Sequence, residues 1–274
     1  MAFKRVPAGN GVNWLTDAVN LILKNPTPFL LMGLLLGIVS AVPLIGGLAL
    51  LVLGPALYGG VMYAAREQEQ GRTADFQHLF QAFREEGKIG RMLVLCLPAV
   101  AAMVLLVVLG LIFAGGALLG AAVAGASDSG GVVGAGLGLG TLLFVVLALA
   151  IGIAMYALTF FATPRVMLDG AEPIPAMKDS VAAALANVGA FLLYGVIVIV
   201  IAAVAGMIFS MIPLVGPLLL SLLLMPTLSV AAYRAWRDVY SDEAGTPVVV
   251  AEPPTAPPPE VPPSQDPPAP PAGG

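Results

Sequence analysis

The sequence is poor in almost every residue type that carries chemistry. One cysteine, Cys96, and one histidine, His78, stand in 274 residues, and only 10% of the chain is charged, against about 25% in a globular protein. A lone cysteine within the apolar run Leu93–Pro98 excludes an intramolecular disulfide and any metal site that needs two thiolates. The scarcity of charge excludes an ordinary soluble domain. A cleaved signal peptide is not expected either, because Lys4 and Arg5 lead into Pro7, Gly9, Asn10 and Gly11 and not into an apolar core.

What is present is hydrophobic, 59% of the chain with a mean hydropathy of +0.96, and it is gathered into long charge-free blocks. About 20 apolar residues cross a 30 Å hydrocarbon core as a helix. Between Lys24 and Arg66 lie 41 uncharged residues, enough for two spans, which Pro43-Leu44-Ile45-Gly46-Gly47 divides near 27–42 and 46–65. Two stretches of 36 uncharged residues flank Asp128 and predict spans near 92–115 and 137–162. The 54 uncharged residues between Asp179 and Arg234 are broken by Pro213-Leu214-Val215-Gly216-Pro217, giving spans near 190–211 and 216–233. The predicted fold is an all-α integral membrane protein with six transmembrane helices.

Six spans put both termini on one side, and all 12 lysines and arginines fall there too: Lys4, Arg5 and Lys24, then Arg66, Arg72, Arg84, Lys88 and Arg91, then Arg165 and Lys178, then Arg234 and Arg237. By the positive-inside rule that face is cytoplasmic, which implies a multi-pass plasma-membrane protein. Two segments on it read as interfacial helices. In the first, Leu15, Ala18, Val19 and Ile22 repeat at helical spacing with Trp14 at the edge, up to Asn25-Pro26. In the second, Phe76, Leu79, Phe80 and Phe83 form a stripe that either meets the headgroups or packs on the ends of the spans. From residue 246 to 274 there are 12 prolines, Glu252, Glu260 and Asp266 and no basic residue, so an acidic disordered tail is expected after a membrane domain of residues 1–245.

The two halves repeat each other. Asp17-x-Val19 with Asn25 recurs as Asp179-x-Val181 with Asn187, and Pro43-Leu44-Ile45-Gly46 as Pro213-Leu214-Val215-Gly216. With one gap, Pro55-x-Leu57 leading to Ala64-x-Arg66-Glu67 recurs as Pro226-x-Leu228 leading to Ala235-x-Arg237-Asp238. The units, 12–68 and 174–240, are each an interfacial helix plus a hairpin, with a second hairpin, 91–164, inserted between them. Because both copies start and end on one side, their pseudo-twofold axis should run along the membrane normal.

No catalytic constellation emerges. The six predicted spans hold no ionisable residue, whereas transport of protons or metals and membrane hydrolysis ordinarily need one. His78 beside Phe76, Leu79 and Phe80 reads as structural, and Asp17 and Asp179 read as partners for nearby Lys or Arg. Gly33/Gly37, Gly116/Gly120, Gly134/Gly138 and Gly136/Gly140 have the spacing that lets helices approach closely. Accordingly no catalytic, cofactor or metal site and no nucleic-acid partner is expected. The expected partners are the lipid bilayer and other membrane proteins or a second copy. The expected role is a non-enzymatic scaffold or accessory subunit. The alternative is a permease or lipid-handling channel for a neutral or amphiphilic substrate, which would want a cavity lined by Ser40, Tyr58, Tyr194, Ser210, Ser221 or Thr227.

Val6-Pro7-Ala8-x-x-Gly11-x-x-Trp14, Pro43-Leu44-Ile45-Gly46, His78-Leu79-Phe80-Gln81-Ala82-Phe83-Arg84 and Ala176-Met177-Lys178-x-Ser180 leading to Asn187 resemble an uncharacterised family of proteobacterial multi-pass inner-membrane proteins. The helix-plus-hairpin plan more distantly resembles the membrane domains attached to some glycerophosphodiester phosphodiesterases. The resemblance covers about residues 5–240 and implies a bacterial inner-membrane location. It brings no activity with it, and the phosphodiesterase catalytic domain is missing.

The charge asymmetry predicts that cysteine labelling at positions 46, 128 and 216 reports the periplasm and at 87, 172 and 241 the cytoplasm. Periplasmic labelling of the 66–91 loop would overturn the orientation.

Overall fold

A computed structural model describes residues 3–125, 130–212, 215–240 and 247–248. Eleven helices make up almost all of it: α1 (Asn10–Lys24), α2 (Pro26–Ser40), α3 (Ile45–Glu69), α4 (Gln81–Arg84), α5 (Lys88–Val94), α6 (Leu97–Gly125), α7 (Gly130–Thr159), α8 (Ala162–Leu168), α9 (Pro173–Ala186), α10 (Val188–Ser210) and α11 (Val215–Tyr240). Beyond the helices, Phe3–Lys4 pairs antiparallel with Pro247–Val248. The rest of the expected tail, Asp128 and the Pro213-Leu214 pair lie outside the described residues.

Among the described residues, five segments are long and apolar enough to cross a membrane: Ile45–Glu69, Lys88–Gly120, Gly138–Leu168, Val188–Ser210 and Val215–Tyr240. The sixth expected span, near 27–42, corresponds to α2. α2 has 15 residues, about 22 Å at 1.5 Å per residue, and reaches membrane length only together with α1, from which it is bent by 110°. Pro26 causes the bend, because its ring cannot follow α1 in helical register and Asn25 before it is forced to extended backbone, φ −151°.

α1 is amphipathic, but its inward face is rotated from the expected stripe. Gly11, Trp14, Leu15, Ala18, Leu21 and Ile22 are buried, with Trp14 central and not at the edge, and Val19 points outward. Val12, Val19 and Leu23 form a second, exposed apolar stripe, so the helix shows one face to protein, one to lipid and one, with Asn13, Asp17 and Asn20, to water. The second expected interfacial helix is not continuous. Asp75 and His78 close a capping box on a 3-10 turn, Phe76–Phe80, and only four helical residues follow. Leu79 and Ala82 of this segment are buried and Phe83 is exposed, so its inner side packs on the bundle.

The core lies towards the charged end. Phe160, at the break between α7 and α8, sits among Trp14, Tyr156, Phe161, Phe191 and Tyr194 with centroids 4.8–6.2 Å apart. Ser180 of α9 clips that break, accepting from the Phe161 N–H (3.0 Å) and donating to the Ala157 carbonyl (2.6 Å). Asn187 anchors the N-terminal segment, accepting from Val6 N–H (2.7 Å) and donating to Lys4 O (3.1 Å). Away from this core, α6 and α7 pack on each other through Phe113 and Phe144 (5.7 Å) and present apolar residues outward along both helices, Val104, Leu111 and Leu142 among them.

The hairpin turns recur in detail. Ser40 Oγ donates to Gly37 O and Ser210 Oγ to Met207 O, each at 2.8 Å. Gly46 N–H reaches Val42 O at 2.9 Å, and Gly216 N–H reaches Ile212 O at 2.8 Å. A Cβ on either glycine would stand 1.8 Å from the carbonyl oxygen of Val39 or Phe209. The packing of the two units is not exchanged in the same way: α2 lies along α11, while its counterpart α10 has no comparable contact with α3.

Among the described residues, one of the expected glycine pairs makes a close crossing. A Cβ on Gly33 would be 2.4 Å from Leu222 O, and one on Gly37 would be 3.1 Å from Ser221 Cβ, whereas Gly116 and Gly138 face open space. Side-chain surroundings at 120, 134 and 136 lie outside the described residues. Gly33→Ala should therefore destabilise the α2–α11 pair by about 1–3 kcal/mol. Gly116→Ala should be neutral or mildly stabilising through helix propensity. Thermal melting of the detergent-solubilised chain separates the two.

Candidate functional site

The last turns of α3 and α11, with α1, α5, α8 and α9 around them, build a polar belt at the charged end. On α11, Tyr233, Arg234 and Arg237 share one face by their three- and four-residue spacing. All three donate to one carboxylate, Glu69 at the end of α3, with the Tyr233 hydroxyl at 2.5 Å. Arg234 also bonds Asp17 of α1 at 2.9 Å, and Asp238 accepts from Asn10 (2.8 Å) and the Trp14 indole (2.9 Å). Three helices are thus tied through charge-assisted bonds, about twice as strong as neutral ones.

A second set gathers at the end of α8. That short helix leaves orphan carbonyls and a negative dipole end, and two cations from elsewhere meet its last carbonyls, Arg66 donating to Leu168 O (3.2 Å) and Lys88 to Met167 O (2.8 Å), while Arg91 donates to Gly170 O (2.8 Å) just past it. Arg165 is buried, pairs with Asp179 and lies over the Tyr240 ring at 5.1 Å. Burial raises the pKa of Asp169, just past α8, outweighing the opposing pull of Arg165, Trp236 and Arg66. For Glu85, burial pushes upward but Lys88 and Gln81 hold the carboxyl below its ordinary range.

The three ionisable residues singled out in the sequence are all engaged in structure. Asp17 pairs with Arg234 and Asp179 with Arg165. His78 accepts from Asp75 N–H through Nδ1 at 3.2 Å and stacks edgewise on Tyr63. The six residues expected around a transport cavity are not brought together. Ser40 and Ser210 cap the far turns, Ser221 faces Gly33 O, Thr227 bonds Leu223 O, Tyr194 meets Tyr156 at 3.3 Å, and Tyr58 lines a separate cavity.

Two cavities between α3 and α11 were not read from the sequence. One, of about 440 Å³, is lined by Arg66, Gln70, Trp236, Arg237 and Tyr240 with Glu69 and Tyr233. The other, of about 290 Å³, is mostly apolar and is lined by Tyr58, Met62, Phe160, Met225, Ser229 and their neighbours. The repeat itself held the signal. At its offset of 171 residues Tyr58 corresponds to Ser229 and Arg66 to Arg237, and both members of each pair line the same cavity. Among the described residues no group of three or more His, Cys, Asp or Glu is arranged to hold a metal ion.

No curated protein and no solved structure matches the chain. A family model does, over residues 18–255, which takes in every membrane-length helix and the charged belt apart from Asn10, Trp14 and Asp17 of α1: the chain belongs to the family described as a domain of unknown function, DUF7847.

Proposed function

We propose that this multi-pass membrane protein is a non-enzymatic scaffold or accessory subunit of a bacterial inner membrane, with its charged end in the cytoplasm. The observation that carries the reading is the division of labour between the two parts of the molecule. At the charged end these titratable groups are spent on structural bonds: Glu69 on Arg234 and Arg237 and Asp179 on Arg165 between helices, Glu67 on Arg72 and His78 in a capping box within single segments. General acid–base or nucleophilic catalysis would need such groups within reach of a substrate and of one another. The inserted α6–α7 hairpin, by contrast, offers its surface outward: the most apolar eighteen-residue stretch of Gly138–Leu168 has no buried residue. In lipid such a face is free to pack against another helix by shape alone. The orientation draws support from the 12 basic residues on one face, and the inner-membrane location from the resemblance to proteobacterial multi-pass proteins.

Photo-crosslinking residues placed at Leu111 and Leu142 in native membranes test the scaffold role. Discrete protein adducts are expected at both, and lipid adducts alone would overturn it. The second reading, lipid handling, is favoured by one feature, the apolar cavity of about 290 Å³ between α3, α7 and α11.

The two roles assigned to ionisable groups separate in stability. Glu69→Gln should cost roughly 2 kcal/mol, between the values for exposed and fully buried ion pairs, and lower the melting temperature. His78→Gln should leave both the function and abundance in the membrane near normal. Lost function of the histidine variant at normal abundance would count against a non-enzymatic protein.

A further inference from the structure

The two α3–α11 cavities lie along one line. On α3 the apolar one takes Tyr58 and Met62 and the charged one Arg66, Glu69 and Gln70, successive positions at four-residue spacing on a single helix face. On α11 the apolar one takes Met225, Ser229 and Ala232 and the charged one Trp236, Arg237 and Tyr240, again one face. The cleft therefore runs from apolar to cationic along the helix axes. From Tyr58 to Arg66 is about 12 Å at 1.5 Å per residue, enough to pass from the edge of the hydrocarbon through an interfacial layer about 5–8 Å thick.

The charged part has donors without partners. Arg66 Nε is buried with no hydrogen-bond acceptor, and so is the Nε of Arg165, whose guanidinium stacks on Tyr240 of the same cavity; the buried Trp236 indole N–H faces only the Asp169 carboxylate, outside bonding geometry. Buried unpaired N–H groups are rare and costly. Of the cavity's two arginines, Arg237 is committed to Glu69, while Arg66 donates to one carbonyl, lies over the Tyr63 ring at 4.9 Å and, though its charge is felt by Glu67, Glu85 and Asp169, forms no ion pair among the described residues. Carboxylates are close as well. Glu69 lines the cavity but is already met by Arg234, Arg237 and Tyr233, and Asp169 faces Arg66 and Trp236 with its charge disfavoured by burial. In the apolar part the Tyr58 hydroxyl makes no hydrogen bond among the described residues, whereas the Thr159, Thr163 and Ser229 hydroxyls are spent on carbonyls one turn back.

We propose that the α3–α11 cleft binds one anionic glycerophospholipid, with its phosphate between Arg66, Trp236 and Gln70 and the start of its acyl chain beside Tyr58, Met62 and Met225. An apolar cavity and a second one with two arginines, set in line on the same faces of α3 and α11, fit an amphiphile and not a free anion. The site stands whether the lipid is carried or merely retained, so it does not rest on the scaffold reading.

Melting of the full chain in a neutral maltoside detergent tests it, using short-chain phosphatidylglycerol, phosphatidylcholine of equal chain length, and inorganic phosphate. Phosphatidylglycerol should stabilise saturably, at concentrations at least tenfold below phosphatidylcholine, and phosphate should have no effect. Arg66→Gln should erase the tenfold preference, and Leu228→Trp, which fills the slot, should weaken both lipids. Arg84→Gln, a change in an exposed cation away from the cleft, should alter neither. If Arg66→Gln fails to fold, Trp236→Phe removes the indole donor with little change of shape and should reduce the same preference. Equal effects of the two lipids on the unaltered chain would overturn the proposal, as would full stabilisation by phosphate alone, or a preference that survives both Arg66→Gln and Trp236→Phe.

Discussion

A carboxylate at the edge of a hydrocarbon slab has to be met by donors, and Glu69 is met by three from a single helix. That cluster explains much of the architecture. Within the bilayer the helices have no hydrophobic force drawing them together, since lipid tails are as apolar as leucine, so association rests on close packing and on polar ties at the ends. Here the close packing is Gly33 against Leu222. The ties are Glu69 with Arg234, Arg234 with Asp17, and Asp238 with Trp14. α11 takes part in all of them, and it is the helix against which α1, α2, α3 and α10 pack.

The cations around α8 follow the same logic at smaller scale. A seven-residue helix cannot satisfy its own last carbonyls, and in a protein with few charges the sequence places Arg66 and Lys88 where those carbonyls emerge and Arg91 just past them. The basic residues that orient a membrane chain are therefore also caps and cross-links between elements distant in sequence.

This double use marks where sequence reasoning succeeds and where it stops. Long uncharged runs and the placement of 12 basic residues depend on free energies of transfer that each residue carries with it, so α3 and α10 could be placed to within a few residues, as could the start of α11, which runs on past the expected 233 to Tyr240. The partners of Asp17 and Asp179 were legible in kind, as basic residues, but not in identity, since Arg234 lies 217 residues from Asp17. α2 and its break from α1 at Asn25-Pro26 were legible to within two residues, whereas the 3-10 turn at Phe76–Phe80 escaped because hydropathy does not register a capping box. The cleft escaped because a cavity is a property of two faces together. The glycine pairs show the same limit, since equal spacing at Gly33 and Gly116 ends in a close crossing at one and open space at the other.

The shortness of α2 has a consequence for the membrane itself. A helix of about 22 Å that joins two surfaces of a 30 Å hydrocarbon core does so only where the lipid is compressed. The turn that follows, with Leu44 and Ile45 almost fully exposed, is then drawn inward with the lipid around it. Such mismatch costs fractions of a kcal/mol per ångström, which α3 and α11 beside it, at 25 and 26 residues, accommodate by tilting. If α2 crosses alone, the bilayer on that flank is dimpled, and thinner membranes would receive the protein at lower elastic cost than thick ones.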